Sequence, residues 1–298
     1  IQMDREGELM YKALRVCKTV EDFLHLLDTL PKPLGVEANF GVVDAEGGAM
    51  YVETNNWRYV TYDVNAIPEG YKVQTNYAFA GNEFDRMGVE RYRTACAVMK
   101  EQNAKYPVGD MHVDEAWLLQ HLSRSFRHET IGTKENHNPK SGVVVDQDFI
   151  PRRITSCVFY AEGKELWAEL GYPCCGVAFP FTVGEEDILP SAAKRTADKQ
   201  TCDFSDLNMR IKMQYLFPET VSNGKHYLHI GLVQKGDKQH PAMKKCATAA
   251  EKEIRAIYQP VYDAWQQGKI TDREFYSQYR QIADKFFEIY TKHFEKYL

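Results

Sequence analysis

The chain has 298 residues, 44% of them apolar and 27% charged, with a formal net charge of −5. That length can bury a real core in one large domain or two ordinary ones, and the acidic balance argues against nucleic acid as the main partner. No apolar run approaches the roughly 20 residues that a membrane span needs.

The first residues, IQMDREGELMYKALRVC, read as a helix, with Leu9, Met10, Ala13, Leu14 and Cys17 at helical spacing. Residue 1 is Ile, and a helix that starts without a cap is expected of a trimmed or processed piece of a longer precursor. Residues 19–30 predict a second helix, started by Thr19 and Asp22 as a capping box and stopped by Pro31 and Pro33. Residues 37–44 and 49–53 then form a hairpin around Gly47 and Gly48. Residues 57–64 and 71–76 are expected as third and fourth strands of one antiparallel sheet. Helices follow at 86–102 and 113–126. A second β region is read at 142–145, 154–160 and 165–170, the last two joined at Glu162 and Gly163. Residues 171–190, rich in Pro, Gly and aromatics, are expected to run over the surface or line a cleft. A short helix is read at 207–216 and a last strand at 227–233. The tail is helical: 243–267, interrupted at Pro260, then a helix capped by Thr271 and Glu274. Its stripe of Phe275, Tyr279, Ile282, Phe286 and Ile289 makes a helical hairpin, packed on the body or on a partner chain, which leaves a homo-oligomer open.

The seven cysteines show neither a CxxC pair nor zinc spacing, and they do not fix the compartment. His112, His121 and His128 are not at i, i+4 on one face. Phosphate-binding, dinucleotide, nucleophile-elbow and zinc-hydrolase motifs are missing, so no cofactor and no metal is called for. The stretch that carries chemistry is YKVQTNYAFAGNEFDRMGVERYR, residues 71–93. An Asn at a strand end, Asn76, followed by Arg91 at the start of a helix, is a way to hold a polarised carbonyl: the amide donates to developing negative charge and the guanidinium fixes a neighbour in a fork. The same two residues also suit a loop-capping Asn and a surface Arg.

Four segments in order, ANFGVVDAEGGAMYVETNN, VQTNYAF, ERYRTACAVM and ITSCVFYAEGKELWAELGYP, resemble the N-terminal-nucleophile hydrolases. More narrowly, they resemble the choloylglycine hydrolase and penicillin acyltransferase-like group of linear amide C–N hydrolases, over about residues 9–175. The resemblance implies a four-layer αββα sandwich of two antiparallel sheets over residues 1–240, lacking its N-terminal part, with the helical hairpin of 241–298 packed on the same body. It implies a Cys nucleophile with its own α-amino group as base, and an acyl-enzyme. Asn76 then matches the oxyanion donor and Arg91 the residue that orients the site. Thr75, Tyr77 and Phe79 fall at the substrate, the two aromatics bordering an apolar acyl pocket with Phe179 and Phe181 in the later loop. Ile1 cannot be the nucleophile, so the resemblance places the Cys on about 80–100 upstream residues or on a companion chain. The expected substrate is a small N-acyl amide. An acyltransferase on the same site and a non-catalytic binding subunit stand as alternatives. The resemblance points to an exported protein, and a cytoplasmic one with reduced thiols is the alternative.

Overall fold

The structure is a computed structural model that describes residues 4–82, 86–146, 148–184, 188–217 and 226–298. Ile1 lies outside them. The fold is mixed helix and antiparallel sheet with a helical C-terminal stretch. It divides into two compact units, residues 1–113 and 114–298, so the tail shares its unit with the second β region and the division does not fall at 240. No described helix is long and apolar enough to cross a membrane.

In the first unit, helix α1 (Glu6–Val16) precedes helix α2 (Val20–Thr29). The α2 capping box is made: Thr19 Oγ1 accepts the Asp22 N–H at 3.1 Å and Asp22 Oδ2 accepts the Thr19 N–H at 3.1 Å. Strands β1 (Asn39–Val43), β2 (Ala49–Thr54) and β3 (Tyr59–Asp63) form one antiparallel sheet in sequence order. Asn39 pairs with Glu53 and Val43 with Ala49, while Thr54 pairs with Tyr59. Asp44 ties the hairpin turn to α2. Its Oδ1 accepts from Glu46 and Gly48, and its Oδ2 accepts from the Val20 N–H at 2.9 Å. Phe23, Leu27, Phe40 and Val52 make the heart of the core, each side chain contributing about 1.5–3 kcal/mol by leaving water. The α1 stripe is only partly used: Leu9 is buried, while Met10 and Leu14 remain exposed.

Residues 71–76 are not a fourth strand. Side chains hold the end of this stretch instead of a ladder: Asn39 Nδ2 donates to the Thr75 carbonyl at 2.9 Å, and the Gln74 side chain donates through Nε2 to the carbonyl of Tyr77, just beyond it, at 2.9 Å. Helix α3 (Val89–Asn103) then starts at Gly88, whose φ of 82° is the left-handed region that glycine enters without strain.

The second unit opens with Asp114, whose Oδ1 caps the Trp117 N–H at 2.7 Å. The helix expected over 113–126 is one turn, α4 (Glu115–Leu118), that widens into a π turn at Leu119–Ser123. Strand β4 (Val144–Val145) pairs with β8 (Tyr227–Leu228), and β5 (Cys157–Glu162), β6 (Glu165–Leu170) and β7 (Phe179–Thr182) form a second antiparallel sheet. β7 lies in the stretch expected to run over the surface or line a cleft. It is an edge strand, the position where Pro180 costs no ladder bond, and Tyr172–Phe179 lines the core. The strand read over 227–233 stops after two residues and gives way to helix α6 (Ile230–Gln234), which follows α5 (Asp203–Ile211) in the chain.

Helix α7 (Met243–Gln266) runs through Pro260 without a break. The missing N–H and ring clash cost about 3 kcal/mol. Burial of Ile254, Tyr258 and Trp265 on either side offsets this. Helices α8 (Asp272–Ala283), with the Thr271–Glu274 capping box, and α9 (Lys285–His293) return against it. Phe275, Tyr279, Phe286 and Ile289 all face the core. Inside this unit Arg124 is fully buried with Glu169. Its Nε donates to the Pro173 carbonyl at 2.7 Å, Nη2 to Glu169 at 3.0 Å and Nη1 to Glu251 at 2.9 Å.

Candidate functional site

The site is built from the loop 71–82, the adjoining face of the sheet and the first turn of α3. Asn39 and Glu53 are cross-strand partners, so their side chains stand side by side on one face of the sheet. Both reach the loop. Glu53, 6% exposed, accepts four hydrogen bonds: from the Phe79 N–H at 2.8 Å, the Ala80 N–H at 2.7 Å, Gln74 Nε2 at 3.0 Å and the Tyr62 hydroxyl at 3.2 Å. Asn39 holds the Thr75 carbonyl from the other side. Thr75 Oγ1 donates to the Gly88 carbonyl at 3.0 Å, which couples the loop to the start of α3. A Cβ at Gly88 would sit 2.8 Å from Arg91 Nη2 and 3.1 Å from Thr75 Oγ1, so this glycine also makes room for the pair that follows.

Arg91 Nη2 donates to Asn76 Oδ1 at 2.8 Å. The bond settles the orientation of the amide. With Oδ1 taken by the guanidinium, the Nδ2 hydrogens are the ones Asn76 can offer to a third group. Thr75 and Asn76 line a cleft of about 710 Å³ together with Asn39, Thr54, Asn55 and Gln74. Tyr77 and Phe79 are not among its lining residues. They pack in an aromatic cluster with Tyr62 and Tyr92, Phe79 lying 5.4 Å from Tyr77 and 5.2 Å from Tyr92 between ring centres. Lys72 Nζ sits 4.3 Å from the centres of both Tyr62 and Phe79, and burial lowers its pKa against the pull of Glu53. Burial and a bond to Cys96 push the Tyr92 hydroxyl up to about 12. Phe179 and Phe181 belong to the other compact unit, where they neighbour each other in β7.

Asn39, Glu53 and the lining residues Thr54, Asn55 and Gln74 escaped the sequence reading as functional positions. A signal was present: AMYVE ends an apolar strand on an acid, and a buried acid at a strand end requires donors. Glu53→Ala leaves the Phe79 and Ala80 N–H groups without an acceptor. The expected loss is at least about 2 kcal/mol in a denaturant titration, and a loss under about 0.5 kcal/mol rejects the anchoring role.

The remaining candidates do not assemble. Cys174 and Cys175 are fully buried in the second unit, and burial pushes the Cys174 thiol up to about 12 and the Cys175 thiol well above its ordinary range. His121 bonds Glu135 at 2.7 Å, and His128 packs edge-on against Phe149. Among the described residues, no group of three or more His, Cys, Asp or Glu is placed to hold a metal ion. Comparisons with known protein families, with curated proteins and with solved structures find no match for this chain.

Proposed function

We propose that this chain carries the oxyanion side of a linear-amide C–N hydrolase of the N-terminal-nucleophile type. The observation that supports this reading is the Arg91–Asn76 bond, which leaves a fixed carboxamide N–H pair beside an open cleft. Such a donor stabilises the charge that grows on a carbonyl oxygen when its carbon is attacked. Arg91 is the positioning residue. It holds the amide, and Gly88 and Thr75 hold the helix start from which Arg91 projects.

The attacking group comes from elsewhere. Both threonine hydroxyls of the cleft are committed: Thr54 Oγ1 donates to the Ala38 carbonyl and accepts the Ala38 N–H, while Thr75 Oγ1 donates to Gly88 and accepts the Tyr77 N–H. No cysteine is among the described lining residues. In the first unit, burial and then the nearby Asp22 raise the pKa of Cys17, which disfavours its thiolate. The thiol of this reading therefore belongs to a segment or companion chain beyond the seven cysteines of the sequence. The four-layer αββα sandwich and an exported setting belong to the same reading.

The test uses the protein purified from its native source. Release of amine from a panel of N-acyl amides is measured with and without iodoacetamide, and the alkylated cysteine is mapped by mass spectrometry. The expected result is loss of turnover with the label outside the seven cysteines of this sequence. Turnover that survives alkylation, or a label responsible for inactivation at one of the seven, overturns the proposal.

A further inference from the structure

We infer that the Thr75–Asn76 cleft takes a neutral substrate carrying a second, non-scissile amide, a peptide-like compound in place of one with a plain apolar acyl chain. The inference rests on the reading of this cleft as the substrate site, and it follows from what the walls offer. The lining contains four carboxamides, Asn39, Asn55, Gln74 and Asn76, and three hydroxyls, Tyr51, Thr54 and Thr75. Among the described lining residues the carbon-only side chains are those of Ala38 and Ala78. An apolar chain would strip water from the uncommitted amide groups of Asn39, Asn55 and Asn76 and return no hydrogen bond.

The orientation of three amides is fixed by the protein. Asn76 spends its oxygen on Arg91 and keeps Nδ2 as a donor. Asn55 spends its oxygen on the N–H groups of Trp57 at 2.9 Å and Arg58 at 3.0 Å, and also keeps Nδ2. Asn39 spends Nδ2 on the Thr75 carbonyl and keeps its oxygen as an acceptor. The walls thus present donors and an acceptor. With Asn76 turned to the scissile carbonyl, Asn55 and Asn39 remain for a group that has both a C=O and an N–H, which is an amide. Charge narrows the choice. Among the described residues of the lining, Glu37 is the one charged side chain, and its Oε1 accepts from Asn56 Nδ2 at 3.0 Å. A carboxylate on the substrate meets like charge there and, among the described lining residues, no cation.

Three probes separate these terms: N-acetyl-L-alaninamide with two amides, N-acetyl-L-alanine with one amide and a carboxylate, and N-butylhexanamide with one amide and apolar ends. Binding to the full chain is followed by NMR titration, with no turnover required. The diamide is expected to bind at least tenfold tighter than either comparator. Asn55→Asp keeps the oxygen that accepts from Trp57 and Arg58 but turns the free donor into an acceptor, so it is expected to weaken the diamide about tenfold with an unchanged melting temperature. Equal binding of either comparator, no measurable binding of the diamide, or an Asn55→Asp variant that binds like the parent overturns the inference. The two proposals fail differently: a chain that binds the diamide while the native protein releases no amine loses the hydrolase reading alone. A native protein that hydrolyses amides while the chain prefers N-butylhexanamide loses the peptide-like class alone.

Discussion

Turnover of the Asn76→Asp variant is expected to fall about 10²–10³-fold while the fold stays as stable as the parent's. The substitution is nearly isosteric. One carboxylate oxygen takes the place of Oδ1 against Arg91 Nη2, where the parent bond is 2.8 Å long. That contact becomes an ion pair and is kept. The other oxygen replaces the N–H pair that Asn76 turns outward, so a donor to the developing oxyanion becomes a negatively charged acceptor. The loss should appear in kcat with KM nearly unchanged, because the missing bond strengthens only as charge builds on the carbonyl. Asn76→Ala is a poorer test, since it also deprives Arg91 of its acceptor. If Asn76→Asp keeps turnover within threefold of the parent, the amide serves only to hold Arg91 and the oxyanion role is rejected.

What the sequence made legible is what short-range chemistry decides. The capping boxes at Thr19–Asp22 and Thr271–Glu274 are each written in four residues, and the hairpin of β1 and β2 is written in the Asp44–Gly48 turn. The aromatic stripe of the tail shows through its period, and the same burial carries α7 across Pro260, where a local rule predicts a break. The misread parts depend on distant partners. Residues 71–76 alternate like a strand, but the Thr75 carbonyl at their end is taken by the side chain of Asn39, and Gln74 turns its side chain to the Tyr77 carbonyl, contacts that no local pattern shows. The 172–179 stretch looks like a surface loop until Arg124, Asn208 and Tyr290 are seen to bond its backbone from within the core. At the site, the Asn76–Arg91 pair follows from a strand-end amide and a helix-start guanidinium. The polar lining does not, because Thr54, Asn55 and Asn39 arrive from β2, its following turn and β1.

Arg124→Met is expected to destabilise the second unit by about 3–5 kcal/mol, the cost of leaving a buried acid pair without its cation. The arrangement explains the size. One guanidinium, fully buried, faces Glu169 at 3.0 Å and Glu251 at 2.9 Å and also holds the Pro173 carbonyl. Burial works against its charge, but the two carboxylates outweigh that and raise its pKa. Two acids against one base leave an excess negative charge unless a proton is bound. Glu169 is where it binds: burial pushes its carboxyl up to about 8, Arg124 opposes the rise and Glu251 adds to it. The sign for stability follows. An unfolded carboxyl loses its proton near the ordinary 4.5, whereas the folded one keeps it to about 8. Over that window the folded state binds more protons, so the Glu169 contribution falls as pH rises, by up to about 1.4 kcal/mol per pH unit, and levels off above the folded pKa. Thermal melts of the parent at pH 6 and pH 8.5 should therefore show a lower midpoint at the higher pH. Glu169→Gln stays neutral throughout and should remove that part of the difference. Because a protonated Glu169 and a Gln are both neutral, the double variant Arg124→Met/Glu169→Gln should be about as stable as Arg124→Met at pH 6 and gain over it only at a pH high enough to ionise Glu169. Parallel pH profiles for the parent and Glu169→Gln would show that Glu169 is ionised in the folded state, and with it the proton-sharing account of this cluster would fail.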